Sequence, residues 1–143
     1  MATKTAHIKQ LNGITFVGKT DTNHWIPMDG PEDFGGSNAA IRPKELILLS
    51  LGGCTASDVI AILQKKRVKI EKFEMNISAE ETDEHPKYYK SINLEYVFYG
   101  KGIKEADVIR AIELSQEKYC GVTFMLKSVV QITHNFRIVE TES

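Results

Sequence analysis

Between Leu46 and Leu63 the chain reads LILLSLGGCTASDVIAIL, apolar nearly all round a helical wheel. Such a segment fits a central buried helix rather than a surface one, and it demands cover on more than one side. Pro43 suits the first turn because its missing N–H has no partner there, and Glu45 in that turn is favoured by the helix dipole. Gly52-Gly53 costs such a helix about 1 kcal/mol per glycine relative to alanine, so the pair needs a reason. Either another backbone or a ligand approaches closely, or the glycines serve ordinary helix packing. One small sheet cannot cover the whole helix, and a homodimer whose partner strands wrap it would complete the cover.

Short alternating runs flank this helix. Asn12-Gly13 is a strong hairpin signal and predicts strands over Thr5 to Leu11 and Ile14 to Lys19, followed by one over His24 to Met28. Gly30-Pro31, Gly35-Gly36-Ser37-Asn38 and Ala39-Ala40 predict a loop of about ten residues with no periodicity, and its glycine content leaves room for mobility. Phe73, Met75, Ile77 and Ala79 alternate along one strand, and Ile92, Leu94, Tyr96 and Phe98 along the next, with Asp83-Glu84-His85-Pro86 between them. Lys104 to Lys118 predicts an amphipathic helix with Val108, Ile109, Ile112 and Ser115 inward. Val122 to Leu126 fits a short extra turn, and Val130, Ile132, Phe136 and Ile138 define a final strand with His134 on its apolar face as a core histidine. This order predicts an α+β fold with a mostly antiparallel sheet, in a single domain spanning residues 1–143.

The charge balance, 18 basic against 19 acidic residues, offers no basic face for nucleic acid or anionic lipid. Lys65-Lys66-Arg67 reads as the basic end of the helix. Met1 to Gln10 lacks the apolar core of a signal peptide, and the glycine-interrupted run from Leu46 to Ala56, stopped by Asp58, is short for a bilayer span. The expectation is a soluble, cytoplasmic protein with no nucleic-acid or membrane partner.

Two cysteines, Cys54 and Cys120, are the whole thiol complement. A permanent structural disulfide is a poor explanation in a reducing compartment, which leaves inert buried thiols or redox chemistry. A peroxide-reducing thiol needs a stabilised thiolate, a donor or cation that polarises the O–O bond, and a second thiol that resolves the sulfenic acid. A helix broken at Gly52-Gly53 would free N–H groups beside Cys54. Arg42 and Glu45 are the nearby charged candidates, although the helical rise from Glu45 to Cys54 is about 13 Å, so Glu45 would act through Arg42, through a bend or across a dimer interface. The plainer reading makes Arg42 and Glu45 an exposed helix-start pair and the cysteines small hydrophobes. His7, His24, His85 and His134 show no metal-ligand spacing. Tyr88, Tyr89, Tyr96 and Tyr99 read as sheet packing.

The stretches Arg42-Pro43-Lys44-Glu45-Leu46, Leu51-Gly52-Gly53-Cys54-Thr55 and Ser115-Gln116-Glu117-Lys118-Tyr119-Cys120 followed by Val122 resemble the OsmC/Ohr family of thiol-dependent peroxidases, and the likeness in element order runs from about His7 to Val139. The resemblance implies an OsmC-like fold in an intertwined homodimer with active sites at the subunit interface. It implies that Cys54 attacks an organic hydroperoxide and that Cys120 condenses with the resulting sulfenic acid; the Ohr branch also uses an Arg from the N-terminal strand region, where this chain has none before Arg42. An external dithiol, in the Ohr branch a lipoyl group on a carrier protein, would then reduce the disulfide, with no metal, haem or flavin cofactor. Lys44 separates Pro43 from Glu45 here, whereas in the Ohr branch the Glu follows the Pro directly. The Leu-Gly-Gly-Cys-Thr form is closer to an OsmC-like subgroup. A dimeric binding or thiol-sensing protein of the same fold is the alternative function.

Overall fold

The computed structural model describes residues 1–142 and divides into two compact units, Met1–Ile47 and Leu48 onward. The first unit carries a three-stranded antiparallel sheet in the order β1 (Ala6–Asn12), β2 (Thr15–Thr20), β3 (Trp25–Met28). Its opening hairpin turns through Gly13, whose φ of 51° is the left-handed conformation that a glycine adopts without penalty. All seven residues of β1 are exposed.

The loop after β3 is held firmly. Buried Asp29 accepts hydrogen bonds from the backbone N–H groups of Gly30, Ser37 and Ala39 and from the Thr15 hydroxyl, at 2.8, 3.1, 3.0 and 2.9 Å. A short 3₁₀ turn, Glu32–Phe34, fits inside the loop. One carboxylate thus collects the donors that a glycine-rich backbone leaves open.

The second unit holds most of the long helix α1 (Glu45–Lys65) and a second sheet in the order β4 (Lys72–Glu81), β5 (Tyr89–Gly100), β6 (Gln131–Glu140). β4 and β5 pair antiparallel as a hairpin; β5 and β6 pair parallel. The parallel pair needs a crossover, which is supplied by α2 (Glu105–Leu114), a π-helical turn (Ser115–Tyr119) and α3 (Gly121–Leu126). Three of the four strand pairings are antiparallel, in line with the α+β expectation.

The core is built from one face of β5, Ile92, Leu94, Tyr96 and Phe98, against Leu51, Val59 and Leu63 of α1 and Val108, Ala111 and Ile112 of α2. Each aliphatic or aromatic side chain so buried stabilises the fold by about 1.5–3 kcal/mol. Within α2 the inward position is Ala111; Ile109, expected inward, is exposed. His134 is likewise exposed, its ring edge-on to Tyr96 at 6.4 Å, rather than in the core.

α1 runs unbroken through Gly52-Gly53 for 21 residues, longer than the apolar run to Ala56 suggested, and by length and composition it is apolar enough to cross a bilayer. Its buried residues, Leu51, Gly52, Thr55, Val59 and Leu63, define one face rather than the whole circumference. The helix stops in a Schellman turn. Arg67 takes a left-handed φ of 60°, its N–H bonds the Gln64 carbonyl and the Val68 N–H bonds the Leu63 carbonyl. Gly52 has a packing reason, since a Cβ there would lie 2.3 Å from Ile77 Cδ1, whereas a Cβ on Gly53 would meet nothing within 4 Å.

Candidate active site

Cys54 and Asp58 stand one turn apart on α1, so their side chains share a helix face. Cys120 reaches them from the junction of the π turn and α3. The Cys54 and Cys120 sulfurs and an Asp58 carboxylate oxygen all lie within 4.8 Å of one another. Both thiols are free; Cys54 is half-buried and Cys120 is 4% exposed.

The position of Cys120 follows from its backbone. With φ −77° and ψ 102° it caps the N-terminus of α3, and its sulfur accepts the Thr123 N–H at 3.4 Å. Burial pushes the Cys120 thiol above the ordinary thiol range, the Thr123 hydroxyl and N–H pull it down, and the neighbouring Cys54 pushes it up again; the net direction is up. The donor to a sulfur thus belongs to Cys120. Cys54 gains nothing from a helix break, because its helix is continuous.

Behind the sulfurs lies a buried polar network. The Thr55 hydroxyl bonds the Tyr96 hydroxyl at 2.6 Å and the Ser115 hydroxyl at 2.7 Å, and Ser115 Oγ donates to Asp58 Oδ2 at 2.9 Å. Gln116 Nε2 donates to Thr55 Oγ1 and Tyr96 OH, both at 3.1 Å, while Gln116 Oε1 accepts from Thr123 Oγ1 at 3.3 Å. Bonds therefore run from the Asp58 carboxylate to the residue whose N–H holds the Cys120 sulfur. Burial raises the Tyr96 phenol above its ordinary range against the lowering pull of Thr55 and Gln116. Among the described residues no buried side-chain nitrogen or oxygen is without a partner.

Arg42 and Glu45 belong to the first unit and tie down the start of α1. The Arg42 backbone N–H donates to Glu45 Oε1 at 2.9 Å, half of a capping box. The Arg42 guanidinium donates to the Ala40 carbonyl at 3.1 Å and to Asn38 Oδ1 at 2.7 Å. Of the four residues singled out in the sequence, Cys54 and Cys120 come together, and Arg42 and Glu45 form a helix-start pair.

The sequence reading missed Asp58, Gln116 and Thr123 as members of the site and took Tyr96 as packing alone. One signal was available: Asp58 is an acid set one turn after a cysteine inside an otherwise apolar helix. A groove of about 410 Å³ opens beside it, lined by Asp58, Ala61, Ile62, Lys65, Lys66, Leu114 and Tyr119.

Comparison with known proteins places the chain in a family. A family model described as OsmC-like protein matches residues 35–135. Protein YhfA of Escherichia coli strain K12 is 40% identical over 134 residues, covering 94% of this chain and 97% of that protein. A crystal structure of a hypothetical protein from Aquifex aeolicus VF5 superposes with a TM-score of 0.86 at 30% identity, covering 99% of this chain and 100% of the other. An organic hydroperoxide resistance protein OsmC from Legionella pneumophila shares the fold at a TM-score of 0.69 and 15% identity, over 99% of this chain and 98% of that one. The chain belongs to the family of OsmC-like proteins.

Proposed function

We propose that the protein is a thiol-dependent peroxidase that reduces organic hydroperoxides to alcohols. The observation that carries this reading is the approach of the two sulfurs, which with Asp58 lie within 4.8 Å. In the first step the Cys54 thiolate attacks the terminal oxygen of ROOH. The O–O bond breaks, ROH leaves after taking a proton, and sulfur is oxidised to a sulfenic acid. Cys120 then attacks that sulfur, water leaves and a disulfide forms. An external dithiol, such as a lipoyl group, returns both sulfurs to thiols and becomes a disulfide itself.

Exposure supports the order of events. Cys54 is the more open thiol, while Cys120 is buried and pushed toward the protonated form, which suits a resolving role. In this reading Arg42 supplies the cation that polarises the peroxide across a dimer interface, since within its own chain it forms a helix-start pair with Glu45. The working unit is a homodimer, supported by exposed Ile8, Leu11, Trp25 and Ile26 on the first sheet and Leu49 on α1. Sedimentation at micromolar concentration is expected to show a dimer, and a stable folded monomer would remove that part of the proposal.

Steady-state consumption of cumene hydroperoxide, with dihydrolipoate as donor, tests the activity. Turnover well above that with hydrogen peroxide supports it. A chain inert toward every alkyl hydroperoxide leaves the second reading, a binding or thiol-sensing protein, which the apolar groove beside Asp58 favours.

A further inference from the structure

We propose that the reduced site is also a metal-binding site, in which Cys54, Cys120 and Asp58 together take one thiophilic divalent cation of the zinc class. Three ligand atoms from two chain segments converge: an i, i+4 pair on α1 presents a sulfur and a carboxylate from one side, and the cap of α3 presents the second sulfur from the other. Two thiolates with one carboxylate match a borderline-soft ion such as zinc better than calcium or magnesium, which prefer oxygen alone.

The distances permit closure. Zinc–sulfur bonds of about 2.3 Å and zinc–oxygen bonds of about 2.0–2.2 Å set tetrahedral ligand atoms roughly 3.4–3.8 Å apart, so a set already within 4.8 Å needs to contract by at most about 1.4 Å. Cys54 can supply that movement, since its side chain is only half-buried.

The surroundings of the ligands are those of a supported site. Ser115 Oγ holds Asp58 Oδ2 at 2.9 Å, which fixes the carboxylate and leaves its second oxygen for an ion. Thr123 N–H holds the Cys120 sulfur at 3.4 Å. Thr55 and Gln116 brace Ser115 and Thr123 in turn. Three protein ligands leave a fourth position for water, and the groove that Asp58 lines brings solvent to the carboxylate side of the cluster.

Binding involves no change of oxidation state: each thiol loses its proton to solvent as its sulfur bonds the ion. The ion and the Cys54–Cys120 disulfide use the same sulfurs and therefore exclude one another. The proposal rests on the reduced geometry and stands apart from peroxide turnover.

Its test is a titration of the fully reduced full chain with Cd²⁺, followed by the sulfur-to-cadmium charge-transfer absorption, with Zn²⁺ competition giving the zinc affinity. One Cd²⁺ per chain is expected. Cys54→Ser and Cys120→Ser should each lose about half the band, one sulfur of two remaining. Asp58→Asn, which can still accept from Ser115, should keep the band and weaken binding by about 10–100-fold. Asp58→Cys should raise the band by roughly half, three sulfurs replacing two. Circular dichroism confirms that each variant is folded, and the oxidised protein should give no band. A reduced wild type without the band, an Asp58→Asn chain with wild-type affinity, or equal binding by the disulfide form would each overturn the proposal.

Discussion

The sulfur of Cys120 accepts the Thr123 N–H at 3.4 Å from inside the core, while Cys54 faces it half-buried from α1. The two thiols are therefore unequal in access, and burial pushes the Cys120 thiol above the ordinary range.

That inequality has a measurable form in metal-free buffer. Cys120→Ser, which keeps only Cys54, should be alkylated by iodoacetamide faster at neutral pH than Cys54→Ser, which keeps only Cys120. Burial is the largest cause of the upward shift at Cys120, so its rate should climb only above the ordinary thiol range, even with Cys54 gone. Equal rates measured by mass spectrometry would contradict this.

Division of labour in the peroxidase cycle gives a second outcome. Cys54→Ser should abolish reaction with an organic hydroperoxide, whereas Cys120→Ser should consume about one equivalent and stall as a sulfenic or over-oxidised acid. Arg42→Ala should slow the first step without unfolding the chain, through loss of charge stabilisation. A full single-turnover burst from Cys54→Ser would reverse the assignment of the two thiols.

The adjacent glycines of α1 should respond unequally to a methyl group. Gly53→Ala meets nothing within 4 Å and should gain about 1 kcal/mol of helix propensity. Gly52→Ala would place its Cβ 2.3 Å from Ile77 Cδ1, so the Ile77 methyl must turn aside and the net gain should be smaller than at Gly53. Urea unfolding of the two variants decides it, and equal stabilities would refute the contact.

Asp29 should make the protein acid-sensitive in a defined window. Burial raises its carboxyl, but the N–H groups of Ala39, Gly30 and Ser37 and the Thr15 hydroxyl outweigh this and bring it from 3.8 to about 2. A carboxyl depressed in the folded state contributes stability above its unfolded value and loses it as pH falls through the folded one. The stability difference between wild type and Asp29→Asn should accordingly be full above about pH 5 and shrink from about pH 4 toward 2. A difference independent of pH across that range would show that the charge is not what holds the loop.

Hairpins, helices and the pair of cysteines were legible because each is written in local pattern: Asn12-Gly13 in a turn, alternation along Ile92 to Phe98, two thiols in distinctive segments. The parallel register of β6 beside β5 was not, since the apolar alternation of Ile132, Phe136 and Ile138 is the same for either strand direction. The polar network was illegible for another reason. Thr55, Tyr96, Ser115 and Thr123 meet only after folding, and each alone is an unremarkable polar residue in an element read as packing. Which reason Gly52 has was illegible too, because composition records a missing side chain and not the Ile77 methyl that occupies its space.

The wide turn Ser115–Tyr119 sets the angular phase of everything after it. Cys120 N–H reaches back five residues to the Ser115 carbonyl at 2.8 Å, where an α-helix would reach back four. One residue of α-helix advances the azimuth by about 100°, so removing a single residue from this turn would swing the Cys120 sulfur roughly a quarter of a revolution away from Cys54 while leaving the composition of the helix almost unchanged. The meeting of the two sulfurs is thus a matter of winding number, and a one-residue deletion there is a sharper lesion than most substitutions in the core.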